Sequence, residues 1–165
     1  MPSAIAPPAL RPGAHLRVIA PSSPFDRASF DRALARLRER YRVSFDEGLF
    51  ARDGYLAGDD DRRLRELLGA LRDPDVHAIA CARGGYGATR LLDAIDPREV
   101  SAHPKLLIGF SDVTALHALW ARAGVRSLHA SMIAFLGKVD DRLFERWVAA
   151  VEGARAPAIT GLRSL

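Results

Sequence analysis

Apolar positions along the chain alternate between two patterns. Short, β-branched or continuous apolar runs occur at Leu16-Arg17-Val18-Ile19-Ala20, from Val76 to Ala82, at Leu106-Leu107-Ile108-Gly109 and from Val125 to His129, with a weaker one at Arg42-Val43-Ser44-Phe45. These lengths predict strands. Between them, Phe30, Leu34, Leu37 and Tyr41 recur at helical spacing from about Arg27 to Arg40, with arginines on the opposite face. Asp59-Asp60-Asp61 places acid where a helix N-terminus favours it, ahead of Leu64, Leu67, Leu68 and Leu71. Three more helices are predicted. One bears Leu91, Leu92 and Ile95 and closes before Asp96-Pro97; one presents Val113, Leu116 and Trp120; and one runs from Arg142 to Val151 with Leu143, Trp147 and Val151 along it.

Strand and helix thus alternate throughout, separated by breakers such as Pro21-Ser22-Ser23-Pro24 and the glycine-bearing loop from Arg52 to Gly58. Short connections between such elements imply right-handed crossovers, so the expected fold class is α/β, a mostly parallel open sheet with helices on both faces. The almost unbroken run from Val76 to Ala82 suits a central strand covered on both sides. At 165 residues the chain is one domain's length and buries roughly 70% of its unfolded surface. The expected divisions are an extension over 1–12, the α/β domain over 13–153, and the start of a linker over 154–165.

Composition removes several classes. Hydrophobic residues at 48% and charged residues at 27% match a globular protein, and no apolar run approaches the length of a membrane span. The first residues, Met1-Pro2-Ser3-Ala4-Ile5-Ala6-Pro7-Pro8, lack a basic n-region, so the cytoplasm is expected. One cysteine, Cys81, fits a reducing compartment. The net charge of +4 is carried almost wholly by arginines interspersed with acids, which predicts neither a nucleic-acid stripe nor a membrane-binding face. His15, His77 and His103 show no ligand spacing, so neither metal nor cofactor is expected.

In an open parallel sheet, ligands gather beyond the carboxyl ends of the strands. Two loops there carry chemistry: Arg83-Gly84-Gly85-Tyr86-Gly87 and Gly109-Phe110-Ser111-Asp112. A serine in a sharp strand-to-helix turn exposes its hydroxyl beside the first amides of the helix, which is half of an oxyanion hole. Gly84 or Gly85 would supply the other half, since only a residue without Cβ lets backbone approach a substrate so closely. The alternative is that Ser111 merely caps the following helix and that the glycines are ordinary turn residues. Val113 departs from the Gly-x-Ser-x-Gly pattern, and Arg90 stands where a dinucleotide fingerprint needs its third glycine.

Four segments occur in order: Ala20-Pro21-Ser22-Ser23-Pro24, Arg52-Asp53-Gly54-Tyr55-Leu56-Ala57-Gly58, Cys81-Ala82-Arg83-Gly84-Gly85-Tyr86-Gly87 and Ile108-Gly109-Phe110-Ser111-Asp112-Val113-Thr114-Ala115-Leu116. Together they resemble the LD-carboxypeptidase family of serine peptidases, from about Pro8 to Leu136. The resemblance implies a three-layer sandwich of the flavodoxin-like or class I glutamine amidotransferase-like kind. It further implies Ser111 as nucleophile, with the amides of Asp112 and of the Gly84-Gly85 loop as oxyanion hole; Tyr86, in the same loop, and His129 are the further substrate-binding candidates. The implied activity is cleavage between an L-centre and a terminal D-alanine of a murein tetrapeptide during cell-wall recycling. A related branch cleaves a peptidyl-nucleotide antibiotic and gives self-immunity. The implied partners are the murein peptide, a second copy of the full-length chain in a homodimer, and a carboxy-terminal domain carrying a glutamate and a histidine.

A serine hydroxyl needs a base. On this resemblance the glutamate and histidine lie beyond Leu165, so neither is carried onto a position here. His117, six residues after Ser111, stands about 9 Å along the helix and roughly 240° around it, out of reach. His129 ends the next strand on the correct edge, where the family's His-Gly-Pro is His129-Ala130-Ser131. It is expected to face substrate or to be structural. A fragment cut from a two-domain protein is also expected to expose an apolar patch.

Overall fold

The computed structural model describes residues 4–153. Strands β1 (His15–Ile19), β2 (Arg42–Ser44), β3 (Ala78–Cys81), β4 (Leu106–Gly109) and β5 (Leu128–His129) form one all-parallel sheet in the order β2-β1-β3-β4-β5. Leu16 stands opposite both Val43 and Ala78, Ile79 opposite Leu107, and Gly109 opposite His129. The chain steps from β1 outward to β2 and then returns to the other side of β1, so the connections leaving β1 and β3 part there and open a crevice at the strands' carboxyl ends.

Helices cover both faces, as the hydrophobic pattern predicts. Leu16, Val18, Ala78, Ala80 and Ile108 pack against α1 (Arg27–Arg38), α5 (Ile133–Leu136) and α6 (Asp141–Val151). Ile19, Ile79, Cys81 and Leu107 point the other way, toward α2 (Asp60–Arg72), α3 (Pro97–Ala102) and α4 (Thr114–Arg122). The period of two along each strand thus fills two cores. Aspartates fix the helix starts: Asp26, Asp59, Asp96 and Asp140 each accept from a first-turn amide at 2.7–2.8 Å. Such caps contribute about 1 kcal/mol each. Where α1 meets α5, a Cβ at Gly137 would fall 1.7 Å from the Ser29 carbonyl oxygen, so only glycine allows that contact.

Two expectations change. The segment bearing Leu91 and Leu92 is a 3-10 helix (Ala88–Ala94), and Asp96-Pro97 does not merely close it. Asp96 caps α3 and Pro97 is its first residue, the position at which a missing N–H costs nothing. Only Leu128 and His129 of the predicted fifth strand pair with β4, while Val125 bridges Ile5. On α2 the buried stripe is Arg63, Glu66, Leu67, Ala70 and Leu71, with Leu64 and Leu68 only partly covered. Part of the chain ahead of β1 is held down: the Ile5 amide donates to the Gly124 carbonyl, and the amide of the buried Leu10 donates to the Val151 carbonyl at 2.9 Å. Residues 154–165, read from sequence as the start of a linker, lie outside the described residues.

Candidate active site

β4 ends at Gly109, Phe110 is extended, and Ser111 then adopts φ +62°, the single positive φ among the described non-glycine residues. For a residue with a Cβ this costs roughly 1–2 kcal/mol and survives only where the surroundings enforce it. The cause is the abruptness of the turn into the 3-10 segment Ser111–Val113 and α4. A Cβ at Gly109 would lie 2.7 Å from Val113, which folds straight back over the strand end. Neither the 3-10 segment nor α4 receives a side-chain cap, so the alternative role of Ser111 as a helix cap is not what its hydroxyl does. Ser111 is exposed.

The Gly84 loop presses against this turn. A Cβ on Gly84 would meet Ser111 Cβ at 3.1 Å, the Phe110 carbonyl at 3.2 Å and the Asp112 nitrogen at 3.3 Å. The Asp112 carboxylate ties the two loops together by accepting from the Ala88 amide at 2.9 Å. Gly85 has φ +104°, and Ser23 from the β1 loop latches its neighbourhood: the Ser23 amide donates to the Gly84 carbonyl at 3.1 Å, and the Tyr86 amide donates to Ser23 Oγ at 3.1 Å. Tyr86 is half exposed and stacks edge-on against the exposed Tyr55 from the Arg52–Gly58 loop, centroids 5.7 Å apart. Gly84, Gly85, Tyr86, Ser111 and Asp112 therefore converge, and a hydroxyl beside helix-start and glycine amides is an arrangement able to stabilise a tetrahedral oxyanion.

Beneath these loops lies a polar brace that apolar periodicity could not reveal. Arg63, fully buried, donates to the carbonyls of Pro21 (2.6 Å) and Gly87 (2.9 Å) and pairs with Asp60, which also takes Arg90. Arg62 reaches the Ala20 carbonyl at 2.7 Å, and Glu66 accepts the Ala20 amide at 2.7 Å. Burial pushes the Glu66 carboxyl up, against the opposing pull of Arg62 and the Ala20 amide. The signal available in sequence was the charged pair Arg62-Arg63 with Glu66 inside a helix that must cover loop carbonyls at the ends of β1 and β3.

The histidines separate. His117 engages both ring nitrogens, Nε2 with the Gly109 carbonyl at 3.0 Å and Nδ1 with Ser127 Oγ at 2.8 Å, and so braces the end of β4. His129 is exposed beside it, 5.8 Å from His117 and 6.1 Å from Phe110 between ring centroids, with no hydrogen bond to Ser111. Burial, helped by His129, holds His117 below its ordinary value of 6.5. The unfolded chain therefore binds more protons between that lowered value and 6.5, so this stabilisation is complete above pH 6.5 and is lost as pH falls. The urea midpoint is expected to drop on acidification below pH 6.5, and His117→Gln to remove part of the drop; the buried His15, also lowered, accounts for a further part. A midpoint difference between wild type and His117→Gln that is flat with pH would contradict the brace.

Cys81 is fully buried and burial pushes its thiol up, away from reactivity. Among the described residues no three His, Cys, Asp or Glu side chains converge as metal ligands, and no helix is long and apolar enough to cross a membrane.

Residues 16–130 match the LD-carboxypeptidase N-terminal domain family. The chain is 40% identical over 137 residues to a probable murein peptide carboxypeptidase of Bacillus subtilis, covering 82% of this chain and 43% of that protein. It is 37% identical over 123 residues to the murein tetrapeptide carboxypeptidase of Pseudomonas aeruginosa, covering 73% and 40%. Among solved structures, an MccF-like protein from Bacillus anthracis superposes with a TM-score of 0.82 at 27% identity, covering 90% of this chain and 47% of that one. The chain thus spans about half the length, or less, of the proteins it resembles.

Proposed function

The chain belongs to the LD-carboxypeptidase family, and from that premise we propose that residues 13–153 are the nucleophile-bearing domain of a serine-type carboxypeptidase acting on murein tetrapeptides. The observation that carries this reading is the strained Ser111 turn with Gly84 pressed against it. Ser111 Oγ attacks the carbonyl that precedes the terminal D-alanine while a base takes its proton. The tetrahedral oxyanion is held by the amides of Asp112 and of the Gly84-Gly85 loop. Collapse breaks the C–N bond, the base returns the proton to the departing amine, and water then hydrolyses the acyl-serine. His117 is engaged as a brace, and Ser111 has no hydrogen-bonded base among the described residues. The family resemblance implies that a histidine and a glutamate of a carboxy-terminal domain supply the base and orient it, and on that reading the domain described is inactive alone. The buried, unreactive thiol is compatible with work in the cytoplasm on recycled wall peptides, and the resemblance implies a full-length homodimer.

The test is D-alanine release from a murein tetrapeptide by the full-length protein. Turnover by folded enzyme is expected, and its absence would overturn the reading. The likeness to an MccF-like protein favours a second reading, in which the same serine serves the microcin self-immunity branch and cuts a peptidyl-nucleotide. Substrate competition between the two ligand classes separates them. A binder without chemistry would leave Ser111 unlabelled by a fluorophosphonate in the full-length protein.

A further inference from the structure

An exopeptidase must recognise the free carboxylate just beyond the bond it cuts, and an anion reader next to the nucleophile is the feature that would do so. Beside the Ser111 turn lies a cleft of about 350 Å³ whose apolar wall includes Ala82, Phe110 and Met132. Two cations face it, Arg83 from the end of β3 and Lys138 from beyond α5. Arg83 immediately precedes Gly84, whose backbone packs against the Ser111 turn, and it shares the cleft lining with Phe110, the residue before Ser111. One of its N–H groups donates to the Pro24 carbonyl; hydrogen bonds from Ser29 hold the Asp26 carboxyl below its ordinary value, and Lys138 lies near enough to help. The one acid lining the cleft, Asp26, is engaged as the cap of α1, accepting from the amide and the hydroxyl of Ser29 at 2.8 and 2.5 Å. Two positive groups against one committed carboxylate leave a net attraction for an anion.

We propose that this cleft is the subsite for the terminal residue, with Arg83 and Lys138 holding its free carboxylate and the apolar wall receiving its methyl group. The inference rests on the reading above but is tested through binding, so it can fail independently of turnover. In the full-length protein carrying Ser111→Ala, a murein tetrapeptide ending in free D-alanine and the same peptide as its C-terminal amide are titrated by calorimetry. The acid is expected to bind roughly 10- to 100-fold more tightly than the amide, the size of a charge-assisted contact. Adding Arg83→Gln or Lys138→Gln should remove most of that preference, and Arg83→Lys should keep part of it. Lys138 is exposed, so its replacement leaves the fold intact even where Arg83→Gln does not. An acid that binds no better than the amide, or a preference that survives both glutamines, overturns the proposal whether or not the unsubstituted enzyme turns over.

Discussion

Ser111→Ala in the full-length protein is expected to lower D-alanine release by at least about 10⁴-fold while leaving the unfolding midpoint almost unchanged. The size follows from removing a nucleophile: the remaining oxyanion donors and binding contacts retain only the residual acceleration that a site keeps without its covalent step. The small effect on stability follows from the geometry, because Ser111 is exposed and caps neither the 3-10 segment nor α4. Ser111→Gly sharpens the test. Glycine accepts φ +62° without strain, so this variant should be more stable than wild type by about 1 kcal/mol and equally inactive. Opposite shifts of stability and activity at one residue would mark strain held for function. Ser111→Ala retaining a tenth of wild-type turnover would remove Ser111 from the nucleophile's role.

The backbone strain at Ser111 could not be read from the residue itself, because serine has no preference for positive φ. What was legible was the context: an apolar run ending in glycine, then a helix pattern with no room for a loop, so the turn had to be abrupt. The five strands and the two-sided cover of helices were equally legible, since each rests on local periodicity. Two misses share one physical origin. The leucines of α2 gave no sign of its polar burial: the helix lies over the carbonyl ends of β1 and the β3 loop, where backbone acceptors need donors, and so Arg63 and Glu66 are buried beside Leu67 and Leu71. Likewise Asp96-Pro97 was read as a stop, because proline breaks a helix from within; the same pair starts one when aspartate caps and proline comes first. Both errors arise where polar backbone sets the outcome and hydrophobic spacing carries no information about it.

The same polar backbone makes Gly85→Ala a severely damaging small change near the site. Two penalties add. At φ +104° an L-residue is strained whatever space surrounds it, and the new methyl would lie 2.4 Å from Ser23 Oγ and 2.7 Å from Ser23 Cβ. Ser23 cannot step aside, because it is buried with its amide on the Gly84 carbonyl and its hydroxyl accepting from the Tyr86 amide. The variant should lose about 3 kcal/mol of stability, from overpacking and backbone strain together, measured as a urea midpoint. Turnover in the full-length protein should fall about 10²- to 10³-fold, the cost of displacing an oxyanion donor. Adding Ser23→Gly opens the space for the methyl but leaves φ as it was, so the double variant should recover part of the stability lost to Gly85→Ala and little of the activity, since the latch on the Tyr86 amide is gone with the hydroxyl. If Gly85→Ala instead destabilises the protein and leaves turnover per folded molecule at the wild-type level, the loop supports the fold without facing the reaction, and the oxyanion donors must be sought elsewhere.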